Sequence, residues 1–383
     1  MSQDYEYNDD YTEYLFPGFT QESKTVWLRV LIVFGSLDRH LNNIYFGLSI
    51  IGVLTNLFHF TILIRKSMMT SSINIFLLGM CFSDIGSMSG YIVTNALTYY
   101  EDYLEATLTR KCMPPLSYLT VLIKKLSSTF AKYLQECSLW QAVSMSIFRA
   151  VIIHNPLSVK VDKLSKRRYG ACSVLLVILF ILPFSLISFF QTSIDYTGLW
   201  TPPAQCENFR GSSAIPAFSL ENQDDPQREN GPYDALLFCE GIIFKLIPSV
   251  LLPLACFFLI VDLKKARSDA VRLGSHANEK NNTRTTKLVT LLTVSSVFSL
   301  IPVVVFYFLQ IVYHRSDGLT DMFAMLVRVL SVLLLFNGAI HGFICFSMSS
   351  QYRETVRTVY GCRKSKENHA KGAILVAITP QQL

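Results

Sequence analysis

The sequence predicts an all-α membrane protein: a seven-transmembrane helix bundle whose N-terminus is extracellular. Three observations carry the prediction. Only 16% of the residues are charged and 51% are hydrophobic, whereas soluble domains average about 25% charged. Seven apolar runs, at about 44–64, 73–97, 128–153, 171–190, 236–261, 287–313 and 322–348, approach or exceed the roughly 20 residues with which a helix crosses the hydrocarbon core. Membrane β-strands are about half as long. Finally, Lys and Arg are unequally shared between the two sets of links. The links 65–72, 154–170 and 262–287 and the tail from 349 hold 20 basic residues. The stretch 1–43 and the links 98–127, 191–235 and 314–321 hold 8, leaving out the apolar-flanked Lys124 and Lys125. The more basic side faces the cytosol. The chain therefore divides into an extracellular tail (1–43), a membrane domain (44–348) and a cytosolic juxtamembrane helix and tail (349–383).

Taken in order, the N-terminal "MSQDYEYNDDYTEY" is acidic where a cleavable leader begins basic, so no signal peptide is expected. Residues 26–34, "VWLRVLIVF", are too short to span. They read as an interfacial or pocket-capping helix, or equally as a plain surface helix. The link 191–235, with Trp200, several prolines and "DDPQREN", is expected to form a lid with a flexible tip. Asn281-Asn282-Thr283 is a glycosylation sequon on the cytosolic side and should stay unmodified. The outer side carries 19 acidic residues against 8 basic, net −11. That excess is either a solvated surface or a means of selecting a cationic ligand. Pro183, Pro248, Pro253 and Pro302 fall within spans four, five and six, where each removes a backbone hydrogen bond and permits a kink.

The cysteines divide by compartment. Cys81, Cys137, Cys172, Cys256 and Cys345 lie in spans as small apolar fillers. Cys112 and Cys206 both lie outside, where disulfides persist, and are expected to pair; Cys239 competes for the role of Cys206. Cys362 follows a basic amphipathic segment and is a candidate for palmitoylation.

Polar residues inside a membrane are costly and usually face the bundle interior. Asn56, Asp84, Ser138, Asn337 and His341 lie at mid-depth or further in. Nearer the outside are Lys132, Gln135, Glu136, Glu240, Lys245, Gln310 and Arg328. Charges of both signs on spans three, five and seven can line a polar ligand pocket. Alternatively Lys132 and Glu136, four apart on one helix, simply pair with each other.

At this point a resemblance emerges. The seven runs, Asp84 in span two, and "FRAVIIHNPL", which places Pro156 and Leu157 after Arg149, resemble rhodopsin-like G-protein-coupled receptors. Within them, "RKSMMTSSINIFLLGMCFSDI", "CMPPLSY" and "FSMSSQYRETV" are similar to the nematode serpentine receptor class W group. That group is related to FMRFamide-like and myosuppressin peptide receptors. The resemblance covers about Ile44 to Val359.

It implies that Arg149, Pro156 and Leu157 form the cytosolic coupling face. It also implies that Asp84, Ser138, Pro302, Asn337 and His341 belong to the switch, with sodium a candidate ligand of Asp84, Ser138 and Asn337. The sequence departs from the pattern in four places. Phe148 replaces the acidic residue before Arg149, and Ala150 the tyrosine after it, so the resting lock is weaker. Leu300 stands where a tryptophan precedes Pro302. His341 takes the place of a second asparagine, so a protonated histidine is an alternative to sodium beside Asp84. Cys112 lies 37 residues before Arg149, where the resembled pattern has about 25. As helix, the additional residues carry the chain about 18 Å further. Either span three projects above the membrane or a short separate helix precedes it, and in both cases Lys124 and Lys125 suit a solvated position.

The function expected is a plasma-membrane receptor that passes an extracellular signal to a heterotrimeric G protein. A FMRFamide-like neuropeptide is the ligand favoured by the acidic face, with a small environmental chemical as the alternative. A transporter is the alternative from another class, although no inverted repeat appears. No nucleophile–base pair or metal-ligand spacing points to an enzyme. No cofactor and no nucleic-acid partner are expected.

Overall fold

The computed structural model describes residues 9–108, 112–154, 163–203, 206, 214–222, 238–273, 277–313 and 316–361. Pro156, Leu157, Glu207, Asp224, Asp225 and Cys362 lie outside the described residues, as do the side chains of Glu279 and the 281–283 sequon. Helices α1 (Asp9–Leu15), α2 (Gln21–Leu63), α3 (Ser72–Thr107), α4 (Tyr118–His154) and α5 (Arg167–Gln191) come first. A hairpin of β1 (Thr192–Trp200) and β2 (Ile215–Asn222) follows. A π-helical turn, Gly241–Leu246, then leads into α6 (Ile247–Leu273), α7 (Ala277–Val312), α8 (Asp317–Met348) and α9 (Ser350–Val359). Seven of these segments are long and apolar enough to cross a membrane. They close into a ring, α2 against α3, α3 against α4, α6 against α7, α7 against α8 and α8 back onto α2. Helix α4 runs through the middle and also touches α5, α6 and α7.

The burial pattern is that of a bilayer protein. Phe82, Leu176, Phe257, Phe298 and Phe343 point outward with more than half of their surface exposed. Asn56, Ser87, Gln141, Ser146 and Thr293 are buried. Hydrocarbon solvates the apolar side chains, so the interior is left to polar and small ones.

Several helices overrun the membrane. Helix α2 has 43 residues, about 64 Å at 1.5 Å per residue, against a hydrocarbon core of about 30 Å. Residues 26–34 are thus not a separate helix; they continue into the first span. The reason is local. Thr20 caps the start by accepting from the Ser23 amide, and no proline occurs between Pro17 and Pro114. Helix α4 likewise runs unbroken from Tyr118. The longer Cys112–Arg149 spacing is therefore taken up by a projecting helix, reached from Cys112 through the irregular residues 113–117. Lys124 meets Glu101 of α3 at 2.9 Å in that projection. Lys125 is buried, which corrects the expectation that it is solvated.

Helix α1 plugs the same end. Leu15 and Phe16 pack on Leu319 and Met322 of α8 and on Trp27 and Leu28 of α2. Ser316 Oγ donates to the Leu15 carbonyl at 2.9 Å. A Cβ at Gly318 would stand 2.5 Å from the Phe16 ring, so this approach requires glycine. Glu13 pairs with Lys24 and accepts from the Gly18 amide. The Lys24 hydrogen bond, then that amide, hold its carboxyl below the usual range.

The long link contains strands that the all-helical reading lacked. β1 and β2 pair antiparallel, with Thr192 opposite Asn222 and Tyr196 opposite Phe218. The register shifts beside Gly198, whose φ of 128° only glycine adopts readily. Phe218 packs on Tyr118 at 5.5 Å, fixing the hairpin to the start of α4. Cys206, beyond β1, is bonded to Cys112, and Cys239 is free. At the opposite end, α9 folds back on α2. Tyr352 is buried with its hydroxyl 2.9 Å from His59 Nδ1, and Ser67 meets Thr355 at 3.2 Å.

Candidate functional site

The disulfide end of the bundle holds two polar cavities that share one wall, Glu136. The outer cavity, about 250 Å³, lies between α4 and α5 under the hairpin. Along α4, Lys125, Thr129, Lys132, Tyr133 and Glu136 face into it; Ser185 and Ser188 come from α5, Thr192 and Leu220 from the hairpin, and Glu240 from the opposite side. Lys132 Nζ donates to Glu240 at 2.6 Å, linking α4 to the fifth span. Lys132 therefore has an acid partner across the bundle besides the one available a turn below. Lys125 Nζ donates to the Thr192 carbonyl at 2.5 Å and lies 4.1 Å above the Phe189 ring.

The inner cavity is smaller, about 60 Å³, room for a few waters. Its walls include Asp84, Gln135, Glu136, Ser138, Lys245, Leu300, Asn337 and His341. The π-helical turn explains how the fifth span serves both cavities. The Ile247 amide reaches the Ile242 carbonyl, five residues back. Glu240 and Lys245 would sit about 140° apart on an ordinary α-helix. The wider turn closes that angle and brings both inward.

Asp84 and His341 meet at the floor of the inner cavity, with His341 Nδ1 3.2 Å from Asp84 Oδ2. Asn337 Nδ2 lies 3.2 Å from Ser296 Oγ and 3.4 Å from His341 Nε2. Asp84, Ser138 and Asn337, the sodium ligands that the family pattern implies, do line one cavity. Their oxygens are the donor type a hard cation takes, and His341 supplies an imidazole nitrogen 3.2 Å from Asp84 where the family pattern has an asparagine.

The other end is organised by Arg149, which is buried and donates to Thr286 Oγ1 of α7 at 2.8 Å. Ser146 and Thr293 meet at 2.7 Å one turn deeper. Phe148 turns the other way and packs edge-on against Phe76 of α3, centroids 5.0 Å apart. Arg149 is thus tied to the sixth span by a hydroxyl. That acceptor had no signal in the sequence, because threonine is common in membrane helices.

Most of the polar residues singled out in the sequence converge. Lys132, Glu136 and Glu240 line the outer cavity, and Gln135, Glu136, Lys245 and Leu300 the inner one. Pro302 lies in α7, one turn from Ser299 and beside buried Val303. Gln310 and Arg328 line neither cavity, and Arg328 is exposed. Hydropathy gives depth along a helix but not the direction a side chain faces. The hydroxyls of Thr129, Ser185 and Ser188 were missed for the converse reason: nothing in their spacing marks them.

A seven-helix bundle with a disulfide-tethered hairpin at one end and a buried arginine at the other defines a serpentine receptor. The profile of the family described as "Serpentine type 7TM GPCR chemoreceptor Srw" matches residues 43–363, and the chain belongs to that family. It is accordingly a multi-pass plasma-membrane protein of a receptor class. A search of curated proteins finds no match.

Proposed function

We propose that the chain is oriented with its N-terminus and hairpin outside the cell, binds an extracellular ligand at the two polar cavities, and couples to a heterotrimeric G protein at the Arg149 end. The observation that carries the reading is the charged outer cavity beneath the hairpin. Its walls come from α4, α5 and the fifth span, so an occupant can bias their packing. Residues 44–348 are the receptor domain in this reading, and the tail beyond 349 is cytosolic. Lys132, Glu136, Glu240 and Lys245 serve recognition. Asp84, Ser138, Pro302, Asn337 and His341 transmit, and Arg149 with Pro156 and Leu157 meets the G protein.

For the ligand, the acidic outer residues favour a basic peptide of FMRFamide-like type, with one end entering the cavity. A second reading, a small environmental chemical, is favoured by the cavity's size. Its volume of about 250 Å³ is below the roughly 300–1,000 Å³ of drug-sized pockets. The test is a screen of the expressed chain against amidated peptides and small polar compounds, read by nucleotide exchange on G proteins. Dose-dependent exchange by a member of either set supports the reading. Solute flux through reconstituted vesicles, without exchange, would replace it with transport.

A further inference from the structure

The outer cavity carries a chemical polarity from one end to the other. At its inner end Glu136 is buried, 6% exposed, and its Oε1 accepts no hydrogen bond from the described residues. Lys245 and Lys132 act on it electrostatically, yet neither donates to that oxygen. At the outer end Lys125, also buried, rests on neutral partners, the Thr192 carbonyl and the Phe189 ring. The two positions are 11 residues apart on α4, three turns, so they share a face; the rise between them is about 16 Å. Midway, Lys132 and Glu240 compensate each other at 2.6 Å. A carboxyl and an amine therefore stand at opposite ends of one cavity, neither with an ion partner at hydrogen-bond distance among the described residues.

A buried carboxylate oxygen without a donor is expensive, and so is a buried ammonium facing only dipoles. A ligand that completes both ends recovers those costs. We infer that this cavity takes a small ligand with a primary ammonium at one end and a carboxylate or carbonyl at the other, its ammonium seated on Glu136 and its acceptor turned toward Lys125. The assignment rests on the receptor reading for its physiological meaning, but not for its chemistry. Two sources share that chemistry, a free amino acid and the N-terminus of a peptide. A second positive charge on the ligand is disfavoured, because Lys125 and Lys132 already line the outer half.

The test uses the purified full chain in detergent and thermal unfolding, with no G protein present. Three probes of one length are compared: 5-aminopentanoate, pentylamine, which lacks the carboxylate, and pentanoate, which lacks the amine. The expected order of stabilisation is 5-aminopentanoate, then pentylamine, with no effect of pentanoate. Glu136→Gln should weaken the amine-bearing probes about tenfold or more, the loss of one charge-assisted hydrogen bond. Lys125→Met should bring 5-aminopentanoate down to the level of pentylamine. A peptide source is indicated if trialanine stabilises the chain and its N-acetylated form does not. A free ligand is indicated if 5-aminopentanoate acts and trialanine does not. Equal effects of pentanoate and pentylamine, or no effect of any probe on the unmodified chain, would overturn the assignment, and neither outcome depends on a variant that folds. Stabilisation without G-protein activation by any probe would leave the site standing and count against the receptor reading.

Discussion

Replacing Thr286 by valine removes one acceptor of the Arg149 guanidinium while keeping the side chain's shape. The 2.8 Å bond joins α4 to α7 in a buried setting. A hydrogen bond to a charged group contributes about 1.5–3 kcal/mol net. If the bond exists in the resting arrangement and is broken when a G protein docks, its loss shifts that equilibrium by the same amount. The active-to-resting ratio then rises by a factor of about 10 to 150. Starting from about 1% active, even the lower figure gives roughly tenfold more ligand-independent signalling. The assay is nucleotide exchange on a reconstituted G protein without ligand, normalised to receptor amount. Thr286→Ser keeps the hydroxyl and should remain near the unmodified level. Equal basal exchange in the valine and serine variants would refute the lock. Phe148 is the wrong place to restore an acid, because it faces Phe76 of α3 rather than α7.

Other consequences can be measured separately. Cys112→Ser or Cys206→Ser opens a bridge between residues 94 apart, and should cost about 2–5 kcal/mol; denaturant midpoints and non-reducing peptide maps check this. Gly170→Ala would set a Cβ 2.8 Å from the Ser72 backbone, and should destabilise by about 1–3 kcal/mol in thermal unfolding. Because the Lys24 bond lowers the folded carboxyl of Glu13, its contribution is full above the unfolded value of about 4.3 and is lost as pH falls through the folded one. Hydrogen exchange in α1 should quicken below about pH 4, and Glu13→Gln should remove that dependence. Replacing potassium by sodium should leave thermal stability unchanged, since His341 offers Asp84 an imidazole nitrogen at 3.2 Å rather than an amide oxygen for a cation; a sodium-dependent shift would show that an ion binds there nonetheless.

The sequence by itself determined the solvent and the count of spans. Apolar runs longer than a bilayer is thick have few alternatives, because every backbone polar group inside hydrocarbon must be satisfied within its own helix. It also marked Asp84, Glu136, Lys245, Asn337 and His341 as interior, since charge and amide groups are too costly to face lipid. Depth along a helix is legible in a one-dimensional pattern; azimuth and partner are not. Only the folded chain decided that Lys132 meets Glu240, that Arg149 meets Thr286 while Phe148 turns to α3, and that Arg328 lies outside the cavities. It likewise decided that α2 and α4 run unbroken beyond the membrane, because caps and prolines, rather than the end of the apolar run, stop a helix. The π-helical turn at Gly241–Leu246 is the clearest case: one wider turn brings Lys245 to the inner cavity while Glu240 faces the outer one, and nothing in the periodicity of that apolar stretch announces it.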